Sequence, residues 1–330
     1  MVKETHSHFT VSVIIIFLNG ERFIGEAIDS VFAQSYADWE LLLVDDGSTD
    51  ASTQIASDYA ARFPEKVRYL QHDNHENRGM SASRNLGIKA AHGRFIAFLD
   101  ADDVWLPQKL ERQVGIMRAQ PDAAMVYGLT SYWYSWTGTD EDLQKDFIPP
   151  LGIEPDTLVK PPTLLTLLLK SEAPTPCPSD ILIRRELLDR TGLFEENFRG
   201  IYQLFEDQAF LSKVYLNASV FVAGEGWFKY RQHPDSCDSV VSGAGKKHVA
   251  GLFFFDWLEK YLVARGNTDA EIWRSLNSKR WRYSHPVMHR ASTRTRRWMR
   301  VLSESSKSAA RRILPVPVHR WLRARFTNNR

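Results

Sequence analysis

The amino-acid sequence predicts an α/β fold, a doubly wound mixed sheet followed by a helical, basic extension. Three observations predict it. Short apolar runs rich in Val and Ile alternate with stretches of helical spacing through the first hundred residues; acidic clusters close two of those runs; and positive charge gathers near the C-terminal end. A continuous apolar run of strand length is what a strand buried on both faces requires, and such strands belong to parallel sheets.

The elements follow in order. Val11 to Leu18 reads as the first strand, and Phe23, Ile24, Ala27, Ile28, Val31 and Phe32 recur at helical spacing. Glu40 to Val44 is a second strand that ends in the turn-forming cluster Asp45, Asp46, Gly47, Ser48, Thr49 and Asp50. Val67 to Leu70 gives a third strand, Ser81 to Ala91 a helix, and Arg94 to Leu99 a fourth strand. Repeated β-α-β units with right-handed crossovers form a doubly wound sheet, and ligands bind at the carboxyl ends of its strands. Both acidic clusters fall there, so Asp45, Asp46, Asp100 and Asp102 should face one crevice.

The pattern weakens after Asp103. Pro107 to Ala119 reads as a helix and Ala123 to Leu129 as a strand, followed by the aromatic residues Tyr132, Trp133, Tyr134 and Trp136. Aromatics this dense serve as core first and as a sugar-stacking wall second. The acidic, Pro-containing stretch from Thr139 to Pro162 reads as a loop and a candidate lid.

Three carboxylates, Asp100, Asp102 and Asp103, close the fourth strand. Packed together they repel one another unless a cation sits among them. Oxygen ligands on a short loop suit a hard divalent ion, Mn²⁺ or Mg²⁺, that leaves positions open for phosphate oxygens, so a diphosphate is the expected guest. Capping of the next helix is the competing role, and it needs one aspartate rather than three. Glu206 and Asp207 open a helix running to Leu216, where the helix dipole favours the charged carboxylate; that state can accept a proton, or can simply stabilise the helix start. Tyr230, Arg231, His233, Ser236 and Ser239 form a third pattern, in which Arg231 could pair with phosphate through both arms of its guanidinium.

The composition narrows the setting. Among 330 residues, 43% hydrophobic and 25% charged, there are two cysteines, Cys177 and Cys237, too few for a disulfide framework, which predicts a reducing compartment. No apolar run is long enough to span a bilayer, and Met1 to Thr10 lacks the apolar segment of a signal peptide, so a cytoplasmic protein is expected. Lys279 to Arg330 carries 15 Lys and Arg against Glu304 alone, a net +14 that leaves −12 for the rest of the chain. Trp298, Leu302, Trp321 and Phe326 are interleaved with those arginines, as in helices that lie on an anionic membrane surface. Packing on the acidic body is the second reading of this tail, and nucleic acid is not the expected partner.

Together these pieces resemble family two of the glycosyltransferases, nucleotide-sugar-dependent enzymes of the GT-A fold, over roughly residues 11 to 240. Val11 to Asn19 with Glu21, Ser30, Gln34, Trp39 and Glu40 is similar to the family's opening strand and helix, and Val44 to Asp50 to its acidic loop. Asn77, Gly79, Ser81, Arg84, Asn85, Gly87 and Gly93, then Asp100 to Trp105, are similar to the stretch leading into its metal motif. The resemblance implies residues 1–105 as the nucleotide-sugar half, 106–240 as the acceptor half and 241–330 as the helical extension. It implies that Asp46 accepts a hydrogen bond from the nucleobase, with Asn19 and Glu21 lining that pocket, and that Phe17 or Leu18 replaces the family's stacking Tyr. Asp102 is then the metal ligand, Asp100 contacts ribose or the metal's hydration shell, Arg84 lies near the diphosphate or braces the carboxylates, and Asp207 is the base, leaving Asp103 as the helix cap. The implied reaction is an inverting transfer of one sugar from a nucleotide-diphosphate donor, a UDP-sugar foremost, to a glycan or lipid-linked acceptor. Surface polysaccharide or glycolipid assembly at the inner membrane face is the implied setting. A noncatalytic nucleotide-sugar-binding module and a sugar nucleotidyltransferase are the alternatives.

Overall fold

A computed structural model describes residues 9–285. The chain runs through β1 (Val11–Phe17), α1 (Ile24–Phe32), β2 (Trp39–Asp45), α2 (Ser52–Arg62), β3 (Val67–Gln71), α3 (Met80–Ala90) and β4 (Phe95–Asp100). It continues with β5 (Val104–Trp105), α4 (Lys109–Ala119), β6 (Ala123–Tyr127), β7 (Ser131–Trp133), α5 (Asp140–Leu143), β8 (Thr157–Val159), α6 (Thr163–Lys170), β9 (Leu182–Arg184) and α7 (Arg185–Thr191). The last described elements are α8 (Glu206–Asn217), β10 (Ser219–Val222), β11 (Phe228–Arg231), α9 (Cys237–Gly243), α10 (Lys247–Ala264) and α11 (Ala270–Ser284).

The large sheet has the order β3-β2-β1-β4-β9-β6-β10-β8. Its first four strands are parallel, and β9 inserts antiparallel between β4 and β6, which makes the sheet mixed as expected. All seven residues of β1 and of β2 are buried, which is why their sequences are mainly apolar without alternation; the polar exceptions are paired, Ser12 donating to Glu40 at 2.6 Å and Asp45 accepting the Ser48 N–H at 2.8 Å. At the edge, β3 is buried only at Val67. Because β4 pairs with β9, the residues before and after position 105 share one sheet. A second sheet, β5-β11-β7, lies beyond the end of β4.

Helix α1 buries Ile24, Ala27, Ile28 and Val31, one stripe at helical spacing. The reading lacked α2, whose weakly apolar sequence buries only Ser52 and Ala56. The stretch from 139 to 162 is not wholly a loop: it holds α5, and β8 pairs antiparallel with β10 at the sheet edge. Three-residue strands paired at an edge leave little periodic signal.

The compact unit extends to Arg280 and takes in α9, α10 and most of α11, so the part of the chain after residue 240 is helical as expected over the described residues. Helix α10 buries Ala250, Phe254, Phe255, Leu258 and Leu262. Its Phe253 stacks on Tyr202 at 4.2 Å between ring centres, and Phe254 stacks on Phe205, which fixes the turn that delivers α8. Phe194 and Phe210, stacked at 4.1 Å, pack against Phe98 of β4 and seat α8 on the sheet. Gly93 leads into β4, and a Cβ there would meet the Ser12 nitrogen at 2.5 Å, so only glycine fits. Residues 286–330, which hold most of the basic tail and its membrane-surface reading, lie outside the described residues. Among the described residues, no helix is long and apolar enough to cross a membrane.

Candidate active site

The sheet register sets the acidic residues at one edge. Phe17 aligns with Asp45 on β2, and Ile16 with Asp100 on β4, so both acidic loops leave the carboxyl end of the sheet on either side of β1. The loop after β4 is a tight turn in which the Asp103 N–H donates to the Asp100 carbonyl at 3.0 Å. Its fixings come from distant parts of the chain. The Ser179 hydroxyl accepts the Asp100 N–H at 3.1 Å and donates to Asp103 Oδ2 at 2.5 Å. The Arg231 N–H donates to Asp103 Oδ1 at 3.0 Å, and Arg231 Nε donates to the Asp102 carbonyl at 2.7 Å. His233 Nε2 lies 2.9 Å from Asp102 Oδ2.

Two expectations are corrected here. Asp103 is not the helix cap: α4 starts after Gln108, and the Asp103 carboxyl is fully buried on Ser179 and Arg231. Burial, then the charges of Asp102 and Asp100, push its pKa well up. Arg231 is not available to a phosphate. Its Nη2 donates to Glu26 at 2.5 Å, and its guanidinium lies 4.4 to 5.2 Å from the ring centres of Trp133, Phe23 and Trp136. The Trp rings also face Lys229 and Arg22, at 4.7 Å for Trp133 and 5.0 Å for Trp136.

Arg84 joins the acidic loop to α8. Its buried guanidinium donates from Nη2 to Asp100 Oδ1 at 2.6 Å and from Nη1 to Glu206 Oε1. Of the two roles implied for Arg84, the structure has the bracing one. Burial works against its charge, and Glu206 and Asp100 outweigh burial, so its pKa rises. Burial also pushes Glu206 up to about 8 against the pull of Arg84. Asp207, the next residue, is partly exposed, and its pKa is raised to about 6 by burial, opposed by the Gln208 N–H and by Arg84. The Gln208 N–H donates to Asp207 Oδ1 at 2.7 Å.

The donor-side residues hold loops together. Asn19 Oδ1 accepts the Thr49 N–H at 2.7 Å, and Glu21 Oε2 accepts the Ala51 N–H at 2.9 Å while the Glu21 N–H donates to Asp50 at 3.0 Å. Asp46 is buried and accepts the Arg78 and Gly79 N–H groups at 2.7 and 3.0 Å, at the entry to α3. Phe17 is the clearest departure. It packs in the core at 4% exposure, because strand alternation turns it inward, and Leu18, at 47%, presents its side chain outward. A stacking contact from Phe17 is therefore excluded.

The donor set at the acidic loop fits a divalent cation. The Asp100 and Asp102 side chains are 26% and 29% exposed; the contacts above use Oδ1 of the first and Oδ2 of the second, and Asp100 Oδ2 faces only the long contact from the Cys177 thiol. The Asp100 pKa is raised by burial and by Asp102 against the pull of Arg84, a repulsion that a cation relieves. Cys177 Sγ stands on the inner side, 3.6 Å from Asp103 Oδ2 and 4.0 Å from Asp100 Oδ2. Nothing in the local sequence marks Ser179 and Cys177 as partners of a loop some 75 residues away, or Glu26 as the partner of Arg231.

The mixed sheet with its acidic carboxyl edge defines a GT-A domain. The chain belongs to glycosyl transferase family 2, whose family pattern matches residues 12–192. It is 34% identical over 235 residues to the uncharacterized glycosyltransferase EpsJ of Bacillus subtilis, covering 70% of this chain and 63% of that protein. Over 120 residues it is 38% identical to WfgD of Escherichia coli, a UDP-Glc:α-D-GlcNAc-diphosphoundecaprenol β-1,3-glucosyltransferase, covering 36% of this chain and 45% of that protein. The chain thus spans less than two thirds of the length of these relatives. Staphylococcus aureus TarS 1–349 in complex with UDP-GlcNAc shares the fold, with a TM-score of 0.59, 21% identity and coverage of 84% of this chain and 73% of that one.

Proposed function

We propose that the protein transfers one sugar from a nucleotide-diphosphate sugar to an acceptor hydroxyl with inversion at the anomeric carbon. The observation that carries this reading is the Asp100–Arg84–Glu206 bridge, which ties the acidic loop to the first turn of α8, the turn that holds Asp207. The name of WfgD supports a UDP-sugar donor and a lipid-linked glycan acceptor, and that of the putative teichuronic acid biosynthesis glycosyltransferase TuaG of Bacillus subtilis supports a role in polysaccharide assembly.

Each residue has a role in this reading. Asp102 and Asp100 would hold Mn²⁺ or Mg²⁺, which when bound supplies positive charge to the departing diphosphate. Asp207 takes the proton of the acceptor hydroxyl as its oxygen bonds to the anomeric carbon. Arg84 keeps Glu206 and Asp100 in place without leaving unpaired charge in the protein interior. Asn19 and Glu21 hold the loops after β1 and β2 together, Asp46 shapes the entry to α3, and Leu18 offers an apolar contact for the nucleobase. Incubation with a panel of nucleotide sugars and Mn²⁺ tests the reading. Metal-dependent release of nucleoside diphosphate is expected, and release of pyrophosphate or no turnover with any donor and acceptor would overturn it.

A further inference from the structure

The ion site proposed above has a wall of different chemistry. Asp100, Asp103 and Cys177 each offer one donor atom, and the three atoms lie within 4.8 Å of one another. A tetrahedral ion with a sulfur ligand at about 2.3 Å and oxygen ligands at about 2.0 Å has sulfur-to-oxygen edges of about 3.5 Å. The Cys177 thiol donates to Asp103 Oδ2 at 3.6 Å and to Asp100 Oδ2 at 4.0 Å; the first distance matches that edge and the second is longer by half an ångström, so an ion that replaces the thiol proton finds its donors close to the required spacing. Asp103 is held as ligating carboxylates usually are, with Ser179 on one oxygen and the Arg231 N–H on the other. Cys177 and Asp100 are partly buried and Asp103 is fully buried, so the set lies at the inner wall of the loop.

We propose that Cys177 sets the ion selectivity of this site: thiophilic divalent ions of the zinc class bind on the inner donor set Asp100, Asp103 and Cys177, in competition with the hard ion that Asp102 and Asp100 hold. Soft thiolate selects such ions, whereas carboxylate oxygens suit Mn²⁺ and Mg²⁺. Binding deprotonates the thiol and releases its proton to solvent, with no change in oxidation state. Because the two sets share Asp100, one site cannot fill both at once. The competition rests on the transferase reading; binding through sulfur does not.

The test is a Cd²⁺ titration of the metal-free full chain, followed by the ultraviolet thiolate-to-cadmium absorption. One ion per chain should raise that band in the wild type and in Cys237→Ser, and Cys177→Ser should abolish it. Asp103→Asn provides a second variant and should weaken Cd²⁺ binding by about tenfold or more. Zn²⁺ should also compete with Mn²⁺ for support of nucleoside diphosphate release, and about tenfold less effectively in Cys177→Ser. No band in the wild type, or a band that survives Cys177→Ser, overturns the proposal. A band without sugar transfer would uphold the thiol's role and count against the transferase reading, and Mn²⁺-dependent transfer without a band would do the reverse.

Discussion

If Asp207 is the base, the pH dependence of turnover is set by the environment of its carboxyl. Its pKa is raised to about 6, above the ordinary 3.8 for Asp, because it is partly withdrawn from water. The base works only when ionised. Activity should therefore be lost as pH falls through about 6 and level off above it, opposite to the behaviour of a group that must be protonated. With one ionisation near 6, about 97% of the base is active at pH 7.5 and about 9% at pH 5, so kcat/KM should fall about tenfold between them. Arg84 favours the charged form of Asp207, so Arg84→Met should move this acidic limb to higher pH. Asp207→Asn removes the proton acceptor and should lower kcat by about 10²-fold or more while donor affinity stays unchanged. The assay is release of nucleoside diphosphate at saturating metal from pH 5 to 8, with donor binding measured separately by calorimetry. A flat profile down to pH 5, or near-normal turnover in Asp207→Asn, refutes the assignment.

Chelation of divalent ions should abolish nucleoside diphosphate release and Mn²⁺ should restore it; activity that persists in excess chelator would remove the metal role of Asp100 and Asp102. Phe17→Ala should destabilise the fold by about 3–5 kcal/mol as a core truncation, seen as a lower denaturant midpoint. Leu18→Ala should leave that midpoint within about 0.5 kcal/mol of wild type and raise the donor KM instead; equal stability losses for the two would undo the inward and outward assignment. Gly93→Ala drives a methyl into the Ser12 backbone and should cost about 3 kcal/mol, a loss of roughly 6–12 °C in Tm by thermal circular dichroism. A Tm within about 2 °C of wild type would show that the strand start can give way.

Sequence reading succeeded where the physical signal is local. β1 and β2 are apolar at nearly every position because both faces are buried, and Asp100 and Asp207 stand at the ends of elements whose periodicity locates them. It failed where a side chain's role depends on a remote partner. Arg231 looks like a phosphate ligand until Glu26 and three aromatic rings are found around it. Asp103 looks like a helix cap until Ser179 takes its oxygen. Phe17 and Leu18 are adjacent apolar residues in sequence, and only the sheet tells which one faces inward.

The acidic turn after β4 depends on a late part of the chain. Its own residues are made early, yet Arg231 and His233, which fix Asp102 and Asp103, follow them by about 130 residues. Contacts this far apart close a long loop, and the entropy of that closure must be overcome before the contacts return any stability. During synthesis from the N-terminus, β1 to β4 can pair before the turn has its clamps, so the acidic turn should be among the last features to form. The region matched by the family pattern ends at residue 192, short of Glu206, Arg231 and His233. A fragment cut to that boundary would keep the first four strands and lose the geometry of the turn they lead to.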